Sequence, residues 1–210
     1  MRALGYQTNF WSPPQRAVNY SLTFWEHQLG IVKSLVALHR FARDSRAYEV
    51  LETQTGASLA CNPPSYIDEI DHQPVTVSVL PDAWACLVDA SGQDTALWIE
   101  VDTGTEAQAK FQHLVLQRIN LIRSGQYTIY FDTPSVIFAY LVIGSKVYRS
   151  ARLNSICRYT RELLEAENLA DWGPVFRFAT IEESLYDSHS LFTDPVWHVP
   201  DSDTPLPLLS

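Results

Sequence analysis

Apolar positions along the chain fall into segments of period 3.6 and segments of period 2, and each predicts an element. From Thr23 to about Ser45, TFWEHQLGIVKSLVALHRFARDS sets Leu29, Val32, Leu35, Val36 and Leu38 on one helical stripe, with Thr23 as N-cap and Glu26 completing a capping box. AYEVLETQTG, stopped by Gly56, reads as a strand. Residues 57–74, with Asn62-Pro63-Pro64 and the acids Asp68, Glu69 and Asp71, read as a loop or irregular insertion. VTVSVLPDAWACLVDA and TALWIEVDT are two strands, and Ser91-Gly92-Gln93-Asp94 between them is suitable chemistry for a hairpin turn.

EAQAKFQHLVLQRINLIRSG is helical and ends at Ser124-Gly125, and SVIFAYLVIG is a buried strand. A second long helix runs from Tyr148 to about Asn168 on Leu153, Ile156, Leu163 and Leu164, before a strand in PVFRFATIEE. Helix, strand, strand, strand, helix, strand, helix, strand is an α/β order, and it predicts a mixed central sheet flanked by helices on both faces. Residues 1–22, aromatic-rich with a Pro-Pro pair, read as an N-terminal arm. Residues 23–190 read as the α/β domain, and residues 191–210, with Pro195, Pro200, Pro205 and Pro207, as an acidic extended or disordered tail.

At 210 residues with 46% hydrophobic and 19% charged side chains, the chain has the makings of one well-packed domain. No apolar run matches a signal-peptide core or a membrane span, so the expectation is a cytoplasmic protein with no membrane partner. Cys61, Cys86 and Cys157 are odd in number and not in CxxC pairs, which points to reduced thiols rather than disulfides or a cysteine zinc site. His39, His72, His113, His189 and His198 lack mutual metal spacing, whereas His27, at the start of the first helix, is either a capping or packing histidine or one that approaches the acidic site or a nucleic-acid phosphate. There is no Gly-rich phosphate loop, GxSxG elbow or HExxH, which removes nucleotide hydrolysis, serine hydrolysis and zinc proteolysis.

The chemistry concentrates in acids. Period-two geometry puts Glu100 and Asp102 on one face of a strand and Val101 on the other, and the hairpin brings Asp82 beside them. Three clustered carboxylates call for a compensating cation, so Asp82, Glu100 and Asp102 form a candidate Mg²⁺ site, with Mn²⁺ as substitute and Glu52 as a fourth ligand. Such an ion activates water and stabilises charge on a phosphodiester. The same acids also suit solvated strand ends, with Asp102 or Thr103 capping the next helix through Glu106. The formal charge of −9 argues against strong independent DNA binding, but Lys146, Arg149, Arg152, Arg158 and Arg161 crowd one segment. Those cations form either a phosphate-binding face or a solvated face balanced by Glu162 and Glu165.

Over roughly residues 20–145 the chain resembles the replication-relaxation family of plasmid and mobile-element proteins, related to the PD-(D/E)xK nucleases. The resemblance rests on FWEHQLGIVKSLVALHRFAR, the strand carrying Glu52, Pro81-Asp82-Ala83, the block Ile99-Glu100-Val101-Asp102-Thr103-Gly104-Thr105-Glu106, and Arg123-Ser124-Gly125-Gln126-Tyr127. It implies a restriction-endonuclease-like core acting on DNA, either as a metal-dependent endodeoxyribonuclease or as an inactive module that binds DNA or a protein partner. The nuclease pattern has a lysine two positions after the second acid, where this chain has Asp102. Lys110 on the next helix is either its relocated substitute or an exposed lysine paired with Glu106 at i,i+4. Family members often resemble a winged-helix DNA-binding region followed by this core, for which the residues before Thr23 are too few.

Overall fold

The computed structural model describes residues 21–104, 106–182, 186 and 189–209. The first helix, α1 (Leu22–Ser45), starts one turn fraction earlier than its sequence suggests. Its N-cap is Ser21, whose hydroxyl accepts the Phe24 N–H at 3.2 Å, so the Thr23 cap predicted above is displaced by a better-placed serine. Strand β1 (Tyr48–Thr55) follows, then a single helical turn α2 (Gly56–Leu59) and the strands β2 (Ser65–Ile70) and β3 (Gln73–Ser78). These last two form a separate hairpin where a loop was expected. Asp71 and His72 both take positive φ at its tip, the geometry of a two-residue hairpin turn that glycine usually fills.

The stretch predicted as one strand around Pro81-Asp82 is two, because the chain leaves β3 and restarts as β4 (Ala83–Asp89). β4 pairs antiparallel with β5 (Asp94–Asp102) across the predicted turn. Helices α3 (Gln108–Arg123) and α4 (Gln126–Phe131), strand β6 (Ile137–Val142), helix α5 (Lys146–Ala166) and strand β7 (Phe176–Thr180) complete the expected order. The last residues contribute α6 (Ser190–Thr193), β8 (Trp197–Val199) and β9 (Ser202–Leu206).

The main sheet has seven strands in the order β1-β4-β5-β6-β7-β8-β9. β4 runs antiparallel to both of its neighbours, β1 and β5; β5, β6 and β7 are parallel, and β8 and β9 each return antiparallel to the strand before them. The prolines of the C-terminal stretch led to an expectation of an extended or disordered tail; instead it is the far edge of this sheet. Pro205 is tolerated there because an edge strand leaves one side of its backbone unpaired. The Trp197 indole donates to the Leu191 carbonyl at 2.6 Å, and Leu208 and Leu209 are buried.

Side chains alternate in size as well as direction through the sheet. Trp84, Trp98, Phe138, Phe176 and Phe178 fill one face under α3 and α5, while Ala83, Ala85, Leu97, Ile99, Ala139 and Ala179 form the other under α1. The alanines let α1 ride close to the strands. A Cβ on Gly30 would stand 2.9 Å from the Val101 side chain, so this glycine sets the approach of α1 to β5. That approach brings His27 to the end of β5.

Candidate functional site

At the C-terminal end of β5, a cleft of about 190 Å³ is lined by His27, Asp82, Glu100, Asp102, Arg118 and Tyr140, among others. The register explains the convergence. Ala83 pairs with Ile99, so the chain one step before β4 sets Asp82 opposite Glu100, and Asp102 lies two residues beyond on the same face. The structure thus brings the three predicted acids to one cleft. Their partners decide what the cleft can do.

Each acid meets its own basic side chain from a different helix. His27 of α1 places Nε2 3.0 Å from Asp82 Oδ2, the oxygen that also accepts the Val101 N–H at 2.8 Å. The hydrogen bond to Asp82 holds the His27 imidazole above its ordinary pKa, against the opposing effect of burial. Arg118 of α3 donates to Glu100 Oε1 from Nη2 at 2.6 Å and Nε at 3.2 Å, and the Trp98 indole donates to the same oxygen at 2.6 Å. Burial pushes the Glu100 carboxyl up to about 7, while Arg118 pulls it back. Burial also opposes the charge on Arg118, and the adjacent Glu100 more than offsets it, so the guanidinium is held above its ordinary value.

Arg152 of α5 forks onto Asp102, with Nε to Oδ1 at 2.9 Å and Nη2 to Oδ2 at 2.8 Å. Its remaining nitrogen, Nη1, donates to the Glu106 carbonyl at 3.0 Å, and the Gly104 N–H donates to Asp102 Oδ1 at 2.6 Å. Asp102 therefore organises the strand-to-helix turn, although α3 begins after Ala107 with no side-chain cap. Below the arginines lies Tyr140 of β6, whose ring sits 5.6 Å from the Arg118 guanidinium and whose enclosed hydroxyl has no hydrogen-bond partner among the described residues.

Sequence reasoning overlooked Arg118. The signal was present in the helical phase: Arg118 follows Phe111 by seven positions and Val115 by three, so it occupies a slot on the apolar face of α3, and all three are buried. Arg152 has the same character, four residues before the buried Ile156. A guanidinium on a core-facing stripe needs an acid across from it.

The other predicted residues lie apart. Glu52 is opposite Cys86 in β1, four residues or ~13 Å up β4 from Asp82, and accepts from Gln54. Lys110 is exposed, with Nζ 2.7 Å from Glu106 Oε1, the i,i+4 arrangement. The five basic residues of α5 do not form one face. Lys146 is exposed; Arg149 donates to the Ile181 carbonyl at 2.6 Å and to Glu182 at 3.1 Å; Arg152 is buried on Asp102; Arg158 pairs with Glu162; Arg161 donates to the Pro200 carbonyl. Cys86 is buried and Cys157 partly buried, with burial pushing the Cys157 thiol up to about 12; Cys61 is exposed.

The donor set does not fit a divalent ion. Among the described residues no group of three or more His, Cys, Asp and Glu side chains is placed to hold one. Both oxygens of Asp102 are bonded to Arg152, Arg118 supplies positive charge to Glu100, and the His27 imidazole is hydrogen-bonded to Asp82. A dication here would have to displace the Arg118 and Arg152 guanidinium groups from Glu100 and Asp102. No helix among the described residues is long and apolar enough to cross a membrane. No family model, curated protein or solved structure matches the chain.

Proposed function

We propose that this chain is a restriction-endonuclease-like module, akin to the replication-relaxation proteins, that works by binding a protein partner and not by metal-dependent hydrolysis. The observation that carries the reading is the pairing of Asp82, Glu100 and Asp102 with His27, Arg118 and Arg152. Support for the fold comes from the order α1-β1-β4-β5-α3-β6, in which three antiparallel strands are followed by a helix and a parallel strand, with the acids at one strand end. At the position where the nuclease pattern has its lysine stands Asp102, and it has recruited Arg152. The acidic cluster then fastens α1, α3 and α5 to the sheet.

A protein partner suits the surface better than DNA does. Nucleic-acid binding draws on cations free to meet phosphates, and four of the five basic residues of α5 are engaged within the chain, which carries a net charge of −9. Thermal unfolding in a millimolar series of Mg²⁺ or Mn²⁺ tests the proposal directly. The expected result is no rise in Tm beyond a salt control, together with no cleavage of single-stranded, duplex or supercoiled DNA. A metal-dependent rise in Tm that Asp82→Ala abolishes would overturn it.

A further inference from the structure

Tyr140 is the unanswered group of the cleft. It pairs with Glu100 across the parallel strands β5 and β6, so the two side chains leave one face of the sheet side by side. The residue is 3% exposed, and its hydroxyl has no hydrogen-bond partner among the described residues. Burial holds the phenol above its ordinary pKa, Arg118 opposes this, and the charges on Glu100, Asp102 and Glu106 add to it, which places the hydroxyl at the acid end of its ring, within the cleft. Two carboxylate oxygens nearby are also unsatisfied. Glu100 takes Arg118 and Trp98 on Oε1, and Asp82 takes His27 and the Val101 N–H on Oδ2, while Glu100 Oε2 and Asp82 Oδ1 accept no hydrogen bond among the described residues. Of the four acids that line the cleft, Glu100, Asp102 and Glu106 each hold an arginine or a lysine, and Asp82 holds only an imidazole. Above the titration of His27 the cleft is therefore one positive charge short.

We infer that the cleft receives a primary ammonium on a short alkyl stem, the end of a lysine side chain, bound by Glu100 Oε2, Asp82 Oδ1 and the Tyr140 hydroxyl. The inference rests on the partner-binding reading for the source of that lysine alone. The unsatisfied groups can all accept, which selects a donor, and the charge deficit selects a cation. An ammonium brings three N–H bonds to the three oxygens and no lone pair that needs a partner of its own. Phe111 and Leu114 of α3 stand one turn apart on the side that carries Arg118 and give the stem an apolar wall. Size selects a side-chain end over a whole metabolite: about 190 Å³ holds roughly six waters at ~30 Å³ each, short of the ~300 Å³ at which pockets for drug-sized ligands begin. A monovalent ammonium uses oxygens that the chain leaves unbonded, so Arg118 and Arg152 keep their places on Glu100 and Asp102.

Titration of the full chain with n-butylammonium, followed by NMR at the Trp98 indole N–H that donates to Glu100, tests this. The expected result is a saturable shift with a Kd of about millimolar, the range open to so small a ligand, and no saturable shift with tetramethylammonium, which has the charge but no N–H. Tyr140→Phe should weaken butylammonium binding about tenfold while Tm stays at or above that of the wild type, because the hydroxyl removed has no partner to lose. Asp82→Asn should weaken binding by at least as much, with its fold checked by the same unfolding curve. No saturable shift up to roughly 100 mM overturns the inference, as does an equal response to tetramethylammonium, or equal affinity in the wild type and Tyr140→Phe. Nα-acetyl-lysine methylamide should bind at least as tightly as butylammonium; if the free amine binds and this peptide mimic does not, a partner's lysine is overturned as the source. A Mg²⁺-dependent rise in Tm beside saturable butylammonium binding would overturn the metal-free reading of the cleft and still support the ammonium site, so the two fail separately.

Discussion

Arg152 and Arg158 stand six residues apart on one helix and do opposite things. Arg152 is buried, its side chain 8% exposed, and forks onto the equally buried Asp102 fifty positions earlier in the chain. Arg158 is half in water and pairs with Glu162 one turn along, at 2.9 Å. As sequence they belong to a single basic cluster. Six residues turn the helix by about 240°, so the cluster is divided between the core and the solvent before any partner is considered. Charge written along a helix is therefore not a surface until the period has been applied to it. The same holds for the acids of β5: two that share a strand face were expected to share one ion, and each instead takes an arginine from a different helix.

Removing a buried cation has the largest expected effect. Arg118→Ala leaves Glu100 enclosed with only the Trp98 indole, and the expected loss is about 3–5 kcal/mol in urea unfolding. Combining Arg118→Met with Glu100→Gln should recover most of it, because the cost arises from the charge left behind. A single substitution that costs under ~1 kcal/mol would place this pair with the surface ones.

Acidity gives a smaller test of the same contrast. The Glu100 carboxyl is raised from 4.5 to about 7 in the folded chain, so the native state holds its proton more tightly than the unfolded state does. The stabilisation this brings is fully present below about 4.5 and is lost as pH rises through about 7. Relative to Glu100→Gln, the wild type should lose up to about 3 kcal/mol of stability across that window, and the difference should level off above it. His27 is raised as well, in part by the charge on Glu100, so its share of the difference between the two proteins acts in the same direction. A gap between wild type and Glu100→Gln that does not vary with pH would contradict the assignment.

Much of the architecture was legible because strong periods and good turn residues agreed. The β4–β5 hairpin, α3, β6, α5 and β7 all sit within a few residues of where the apolar pattern put them. Misreadings occurred where small residues do the packing. The stripe of Leu29, Val32, Leu35, Val36 and Leu38 straddles two sides of α1: Leu38 is buried, whereas Leu29, Val32 and Val36 are exposed, since the side against the sheet relies also on Gly30, Ser34 and Ala37 against a sheet face rich in alanine, and small residues carry little hydrophobic signal. The β2–β3 hairpin was missed because Asp71 and His72 adopt positive φ without a glycine to announce it. Four prolines outweighed Trp197, Val199, Leu208 and Leu209 in the reading of the C-terminal stretch, although apolar residues so grouped need a surface to cover. At the cleft, the acids were legible from period two alone. Their partners were not, because they come from three helices, at separations of 18, 50 and 55 residues.

The smallest expected effect belongs to Arg158, and its smallness is informative. An exposed i,i+4 pair gains little Coulomb energy in water and gives up side-chain freedom to hold its geometry, which leaves at most about 0.5 kcal/mol. Part of what Arg158 contributes is contact rather than charge, since its guanidinium lies 4.9 Å from the Tyr159 ring. Arg158→Ala should therefore lower stability by no more than about 0.5 kcal/mol, and Arg158→Lys by less, because the ammonium keeps the attraction to Glu162 while losing the planar stacking. Added salt should shrink the charge-dependent part of the alanine effect, whereas it should leave the Arg118→Ala loss nearly unchanged, because ions screen solvated pairs and reach enclosed ones poorly. Urea unfolding of both variants at low and high ionic strength reads the contrast in one experiment. An Arg158→Ala loss comparable to that of Arg118→Ala would mean that burial is not what separates the arginines of this protein.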